Sequence, residues 1–338
     1  RAGRWNDLLE VYQDAAEAAY EPEERKSLLF KICNIWEEAL GNLDEAITLC
    51  RELTQDRSLG PDDRARVDNT HGKVYLARGS YAEAERIFKR NIKWTRAENL
   101  GRHAVIACIN AGIARMRQLH YESAKKLFIR AREDAAREGL YREEAIAREN
   151  IATVYHMLRD YAQAMEHYRT AFALLRYLDN PEYLSRIANN LGEIYLRFGD
   201  VHKAEATRLY AVKQGADYPV SQVEAEGMLL DGRVHMQKGD CGRAAETFAH
   251  SSRLFEGLGD RHHLAEALIF QAHANLELDH TAECEKLLER ASGLTSDDER
   301  MKARLMLVRG CHRRLTGGDA ESYLVQALKA LGESGDLE

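Results

Sequence analysis

The chain has 338 residues, with 48 lysines and arginines against 55 aspartates and glutamates, which gives a net charge of −7. This acidic balance argues against general binding to nucleic acid or to anionic membranes, because both need a basic excess. Only 4 residues are proline and 30% are charged, a composition typical of helices rather than strands. No apolar run approaches the roughly 18–20 residues that span a bilayer, so we expect no membrane insertion.

The sequence begins at Arg1, with neither a methionine nor an apolar signal core, so we expect an internal part of a longer cytoplasmic chain. Its six cysteines form no CxxC pair, and most stand where a small apolar residue is expected. We therefore predict free thiols in a reducing compartment, with disulfides as the weaker alternative.

A spacing of 40 residues recurs along most of the chain, in three series of equivalent positions. Small residues occupy the first series, Gly72, Gly112, Ala152, Gly192, Gly232 and Ala272, and also the second, Ala84, Ala124, Ala164, Ala204, Ala244 and Cys284. The third series is mostly large, with Phe88, Phe128, Tyr168, Arg208, Phe248 and Leu288. Such a fixed period indicates a repeat array of about eight units, in place of the two globular domains that the length alone suggests.

Each unit is predicted to consist of two helices joined by a tight turn. The first helix carries apolar residues at helical spacing, as at Ile187, Leu191 and Ile194. Turn glycines such as Gly79 and Gly199 supply the left-handed backbone that ends a helix, and the Ser or Asp after them can cap the next one. We expect the small residue of the first helix to face the alanine of the second, and the large residues to fill the space between neighbouring pairs.

The four prolines, Pro22, Pro61, Pro181 and Pro219, are predicted to lie in connections between units, since a proline inside a helix breaks its hydrogen bonding. The predicted organisation is one array over residues 1–338. It has a partial repeat at 1–26, full repeats at 27–64, 65–104, 105–144, 145–184, 185–224, 225–264 and 265–302, and a C-terminal repeat or cap at 303–338.

The sequence NLGEIYLRFGD at residues 190–200, followed by Ala204, resembles the tetratricopeptide repeat, and residues 69–84 and 150–164 match nearly as well. The 40-residue unit is similar to the repeats of kinesin light chains and spindle-orientation adaptors, and to repeat modules of bacterial signalling kinases and transcription regulators. The resemblance implies an all-α fold, a right-handed superhelical α-solenoid of helix-turn-helix repeats. It is specific for the fold but not for function, because this fold serves many partners.

No residue is predicted to be catalytic, cofactor-binding or metal-binding, because no motif of a metalloprotease, a phosphate-binding loop, a hydrolase or a dinucleotide site is present. We therefore expect no enzyme activity and no cofactor. His262 and His263, placed in an inter-repeat loop, and His273 and His280 downstream could bind a metal only if they converged. Their spacing does not require convergence, so we interpret them as surface and groove histidines.

The first helices of a helical solenoid line its concave face, so a partner is predicted to bind there. Two places before the small position stand Asn110, Asn150 and Asn190. An asparagine amide both donates and accepts hydrogen bonds, and the resemblance to kinesin light chains and spindle adaptors implies that these three clamp an extended peptide backbone. Leu230 and Phe270 interrupt the series, so the clamp is not expected beyond them.

The same face is predicted to gather cations within an acidic protein. They are Arg66, Lys73, Arg117, Arg186, Arg197 and Arg233. Ile106, Ile113, Met116, Ile146 and Met157 would add an apolar floor. This combination favours an acidic partner held by charge-assisted hydrogen bonds.

Several alternatives remain open from the sequence. The asparagines could bond neighbouring helices, and the arginines could pair with Glu149, Glu193 or Glu226 of the array itself. The leading prediction is a protein–protein interaction scaffold. The others are a ligand- or peptide-sensing regulatory module, or an effector that binds a small GTPase through loops such as 179–182 and 259–263. An intramolecular segment could also fill the groove.

Overall fold

The computed structural model describes residues 42–55, 59–178, 180–215, 221–295 and 299–333, together with residues 9, 11–16, 18, 19, 27–29, 31 and 32. All regular secondary structure in these residues is α-helical, which confirms the predicted all-α fold. From residue 43 onwards the helices are α1 (Leu43–Gln55), α2 (Pro61–Ala77), α3 (Tyr81–Ala97), α4 (Gly101–Arg117), α5 (Tyr121–Arg137), α6 (Tyr141–Met157), α7 (Tyr161–Tyr177), α8 (Pro181–Arg197), α9 (Val201–Gly215), α10 (Ser221–Gln237), α11 (Cys241–Leu258), α12 (Arg261–Glu277), α13 (Thr281–Ser292), α14 (Glu299–Leu315) and α15 (Glu321–Glu333).

The chain divides into two compact units, residues 1–174 and 175–338. Within each unit consecutive helices pack against one another, and the first helix of a pair also contacts the first helix of the next. These first-helix contacts join α2 to α4 and α4 to α6 in the first unit, and α8 to α10, α10 to α12 and α12 to α14 in the second. Most first helices begin about four residues before the predicted start of their repeat. The single array over the whole chain stays a prediction.

The small residue of the first helix admits an aromatic ring from the second helix of the same pair. Three pairs show this contact: Gly72 with Phe88, Gly112 with Phe128, and Gly232 with Phe248. A Cβ added at these glycines would lie 2.4 or 2.5 Å from a ring carbon, and all three rings are fully buried. The Phe248 ring also stacks on Phe270 of the next pair, with ring centroids 5.4 Å apart, in agreement with the expectation that large residues fill the space between neighbouring pairs. The absent side chain leaves the free volume inside the pair, and the ring occupies it.

Arg208 stands where the other pairs place a large apolar side chain. It is only 5% exposed, and its Nε donates a hydrogen bond to the carboxylate of Asp231 on α10 at 2.9 Å. Its guanidinium packs beside Gly227, where a Cβ would lie 2.7 Å from Cζ, while Leu230 covers Gly192 instead. A buried ion pair to the next helix thus replaces the aromatic contact within the pair.

Among the described residues, the tight turns between residues 79 and 279 recur at multiples of 20 residues, and each places one residue in the left-handed region. Glycine takes this position at Gly79, Gly139, Gly199, Gly239 and Gly259, which confirms the predicted role of the turn glycines. The equivalent positions elsewhere hold Asn99, Leu119, Arg159 and Asp279, with φ between 57° and 64°. A side chain is unfavourable in this conformation, so these turns carry a local cost.

Two of the prolines lie at helix starts and not in connections. Pro61 and Pro181 are the first residues of α2 and α8, where a missing N–H costs nothing and the fixed φ suits the helix. The side chain of Asn180 accepts a hydrogen bond from the backbone N–H of Tyr183 and caps α8. Pro22 and Pro219 lie outside the described residues.

The five described cysteines are free thiols, in agreement with the prediction. Cys50, Cys108 and Cys284 are buried like small apolar residues, whereas Cys311 is exposed. Cys33 lies outside the described residues.

Gly112→Leu should lower the free energy of unfolding by about 1–3 kcal/mol, because the new side chain meets the buried ring of Phe128. Gly257→Leu is the matched control, since this helical glycine on α11 has no atom within 4 Å of an added Cβ. Urea unfolding followed by circular dichroism measures both. Equal loss in the two variants would contradict the proposed packing contact.

Leu119→Gly should raise the free energy of unfolding by about 0.5–1 kcal/mol, because it relieves the left-handed backbone of a residue that is 70% exposed. Gly139→Leu, at the equivalent position one turn later, should lower it by a similar amount, since an added Cβ has open space and only the backbone is strained. Changes of the same sign in these two variants, measured by urea midpoints, would show that the turn backbone is not the cause.

Candidate functional site

The predicted binding residues lie on the side of the first helices that the second helices leave uncovered. On α4, Asn110 and Ile113 are partly exposed and Arg117 is exposed, whereas Ala111 and Ala114 between them are buried. We call this side the first-helix face. Its predicted members are Arg66, Lys73, Asn110, Ile113, Arg117, Asn150 and Met157 in the first unit, and Arg186, Asn190, Arg197 and Arg233 in the second.

The first two asparagines already use one amide N–H within the protein. The Nδ2 of Asn110 donates to the side-chain oxygen of Asn69 on α2 at 2.7 Å. The Nδ2 of Asn150 donates to the backbone oxygen of Ile146 in its own helix at 2.8 Å. Each amide keeps a second N–H, which is available to donate a hydrogen bond to a peptide carbonyl. The peptide clamp stays a prediction. Asn190 is half-buried on α8 of the second unit.

The cations of the first unit differ in how they are engaged. Arg66 lies 3.5 Å from Asp63 of its own helix, and Lys73 is half-buried and engaged. Arg117 is exposed and forms no hydrogen bond or ion pair with any residue that the structure describes. Among the three predicted cations of this face in the first unit, Arg117 is therefore the one available to a partner.

Apolar residues lie on the same layer of first helices as Arg117. Met157, at the end of α6, is 46% exposed. Ile113 and Ile146 are partly buried and pack against the core of the unit. We call this part of the first-helix face the ledge; it consists of the apolar Ile113, Ile146 and Met157, the cation of Arg117, and the amides of Asn110 and Asn150.

In the second unit, two of the predicted cations contact aromatic rings. The guanidinium of Arg186 lies 4.5 Å from the ring centroid of Tyr183. Arg233 forms an ion pair with Glu193 on α8, and its guanidinium lies 5.4 Å from the Phe270 ring. The charge of Arg233 is therefore compensated by the protein itself, although its position on this face was predicted.

Arg304 was missed by the sequence analysis and lies next to this group. Its guanidinium is 5.7 Å from the Phe270 ring, and its Nη1 donates to Glu266 at 3.0 Å. Burial alone would raise the pKa of Glu266, but Arg304 and Arg233 hold that pKa below its usual value. Arg304 follows Glu266 by 38 residues, so a comparison of positions separated by 40 residues does not identify it.

Of the four histidines considered as metal ligands, His262 and His263 contact each other, with ring centroids 5.2 Å apart, whereas His273 lies 3.5 Å from Glu277 and His280 lies 3.3 Å from Asn275. His262 and His263 lie in the first turn of α12, not in a loop as predicted, because Asp260 caps that helix. The Nδ1 of His263 lies 2.7 Å from the Asp260 carboxylate. Burial lowers the pKa of His263, but Asp260 outweighs that effect and raises it. Within the described part of the chain, no three His, Cys, Asp or Glu side chains are grouped so that they could hold a metal ion.

Polar side chains also link successive repeats at equivalent positions. The linked residues are separated by 38 to 41 positions: Asn69 and Asn110, Arg96 and Asp134, Arg102 and Glu143, Glu193 and Arg233, and Glu266 and Arg304. Many charged residues of this chain therefore stabilise the stacking of repeats and are not available to bind a partner.

Residues 143–207 match the family model of the tetratricopeptide repeat. No curated protein matches the chain. No helix in the described ranges is both long and apolar enough to cross a membrane.

Solved structures of repeat proteins resemble the chain at low sequence identity. A Rap protein complexed with competence and sporulation factor has a TM-score of 0.66 and 16% identity, over 88% of this chain and 81% of that protein. NprR in complex with its cognate peptide NprX has a TM-score of 0.60 and 14% identity, over 88% and 87%. A signal-transduction ATPase with a tetratricopeptide repeat sensor, from Pyrococcus horikoshii, has a TM-score of 0.60 and 15% identity; 96% of this chain covers 53% of that protein.

Identities this low show a shared fold, and the family match adds the repeat type. Residues 143–207 carry the tetratricopeptide repeat, and the chain shares the helical repeat fold of these solved structures.

Proposed function

We propose that the chain is a protein-interaction scaffold that binds an extended peptide segment on the first-helix face and performs no chemistry itself. The observation that carries the proposal is the ledge on α4 and α6, where the unpaired cation of Arg117 lies on the same layer as the exposed Met157. Apolar surface with a few placed polar groups is what a peptide anchor side chain needs.

The polar groups of this face suit an extended backbone. Asn110 and Asn150 stand at equivalent positions of adjacent first helices, and each keeps one amide N–H that can donate to a peptide carbonyl. The Rap protein and NprR, which share the fold, are each complexed with a partner factor or peptide. That likeness supports a peptide rather than a small metabolite as the ligand.

An acidic side chain on the partner fits the charge of the ledge. The whole chain is acidic, with a net charge of −7, so long-range attraction of an acidic segment is weak. At short range the guanidinium of Arg117 can form a bidentate, charge-assisted pair with one carboxylate. We therefore propose a segment that carries an apolar anchor and an Asp or Glu.

A regulatory module that senses a peptide is the second candidate. The likeness to an ATPase with a tetratricopeptide repeat sensor supports it, because the same fold serves as a sensor there. Both candidates use the same face, and they differ in whether binding changes the activity of an attached domain. The small-GTPase partner stays a prediction from the sequence.

Arg117→Glu should weaken capture of the partner about tenfold or more, because it replaces the available cation by an anion. Wild-type and variant proteins are immobilised and the bound proteins compared by mass spectrometry; the affinity of the identified segment is then measured by calorimetry. Lys126→Glu is the control, since it makes the same charge change on α5, the second helix of the same pair. Equal weakening by both variants would mean that only net charge matters.

Met157→Asp should weaken binding of the same segment by about tenfold, because it puts a charge where the apolar anchor is proposed to lie. Leu158→Asp is the matched control, since Leu158 is similarly exposed, at 41%, but lies in the turn after α6. Unchanged affinity of Met157→Asp, with native circular dichroism, would exclude α6 from the binding surface.

A further inference from the structure

A cavity of about 240 Å³ lies between α1, α2 and α3, within the first unit. Its lining is rich in hydrogen-bond donors and consists of Arg51, Thr54, Gln55, His71, Tyr75, Arg86, Ile87 and Arg90. Its two lining residues from α2, His71 and Tyr75, are placed by the helical repeat of 100° per residue roughly opposite Arg66 and Lys73. The cavity is therefore separate from the first-helix face, and a ligand bound in it is independent of the proposed peptide partner.

The cavity carries a local excess of positive charge. Arg90 pairs with the buried carboxylate of Asp68, and the Nη2 of Arg51 donates to the hydroxyl of Tyr75 at 2.8 Å. Arg86 is exposed and forms no hydrogen bond or ion pair with any described residue. Among the described lining residues and their ion-pair partners, three guanidinium groups against one carboxylate leave two positive charges. A phosphate monoester carries about −1.5 to −2 at neutral pH, which matches this excess better than the single charge of a carboxylate does.

His71 is the second, independent sign of a ligand. Its side chain lines the cavity, the residue is only 7% exposed, and neither ring nitrogen has a hydrogen-bond partner among the described residues. Burial, together with Arg90, Arg51 and Arg86, lowers the pKa of His71 to about 4, so the ring is neutral at pH 7 and holds one N–H. A buried donor without a partner is unfavourable, and an anion with several acceptor oxygens would satisfy it.

We propose that this cavity binds a phosphate group, free or as a monoester, through Arg51, Arg86, Arg90 and the N–H of His71. Guanidinium groups match phosphate oxygens in fork geometry. The volume is below the range of about 300–1,000 Å³ that is common for sites of drug-sized ligands, which fits a small anionic group.

Calorimetric titration of the full chain with inorganic phosphate and, separately, with O-phosphoserine tests the site in buffer with about 0.1 M NaCl, where non-specific attraction is partly screened. We expect saturable binding of one anion per chain, with acetate at least about tenfold weaker. Tighter binding of phosphoserine identifies a monoester site, and equal binding identifies a site for the phosphate group itself.

Arg86→Gln should weaken phosphate binding about tenfold, since it removes one charge-assisted contact. Its side chain is exposed, so the fold should persist, which circular dichroism checks. Lys93→Gln on the same helix removes an equal charge outside the cavity and should leave the affinity unchanged. His71→Phe, which keeps an aromatic ring but removes both nitrogens, should also weaken binding. No saturable binding to the wild type, or equal weakening by Arg86→Gln and Lys93→Gln, would overturn the proposal.

Discussion

The close approach of the two helices in each pair is the constraint on which the rest of the structure depends. At Gly72, Gly112 and Gly232 no side chain separates the helices, so a buried phenylalanine ring from the second helix lies directly against the backbone of the first. The contact fixes which side of the first helix is covered. On the opposite side of α4, Asn110 is partly exposed and Arg117 is exposed. Packing within the pair therefore positions the candidate binding face.

Contacts between pairs decide how much of that face remains chemically available. Glutamates and arginines one repeat apart pair with each other, as Glu193 does with Arg233 and Glu266 with Arg304. Each such pair holds adjacent first helices together and removes one charge from use by a partner. Arg117 is different because no described carboxylate lies within reach of it. The two proposed sites lie on opposite sides of the first helices. On α2, Lys73 lies on one side, and His71, whose ring nitrogens have no hydrogen-bond partner among the described residues, lies on the other.

Much of the fold could be predicted from the sequence, since helix pairs, turn positions and the small-residue series all follow from the 40-residue period. Less of the candidate site could be predicted from the sequence. Asn110 and Ile113 were placed on a partly exposed face from spacing alone, and they lie there. The spacing could not show that Asn110 bonds Asn69 or that Arg233 is neutralised. A cavity lined by α1, α2 and α3 leaves no periodic signal, so His71 and Arg86 were not singled out.

The sequence by itself determined the repeat, because glycine at a close contact, glycine in a left-handed turn and apolar residues at helical spacing act locally. Even there the assignment of partners needed the structure. Three phenylalanine rings pack against the glycine of their own pair, and Pro61 and Pro181 are the first residues of helices. The tertiary structure alone decided which charges are compensated and which are available. A helical period gives the face on which a residue lies, but its neighbour in the next repeat depends on how successive pairs are stacked. That stacking pairs Arg208 with Asp231, leaves Arg117 without an ion pair among the described residues, and brings three arginines around His71.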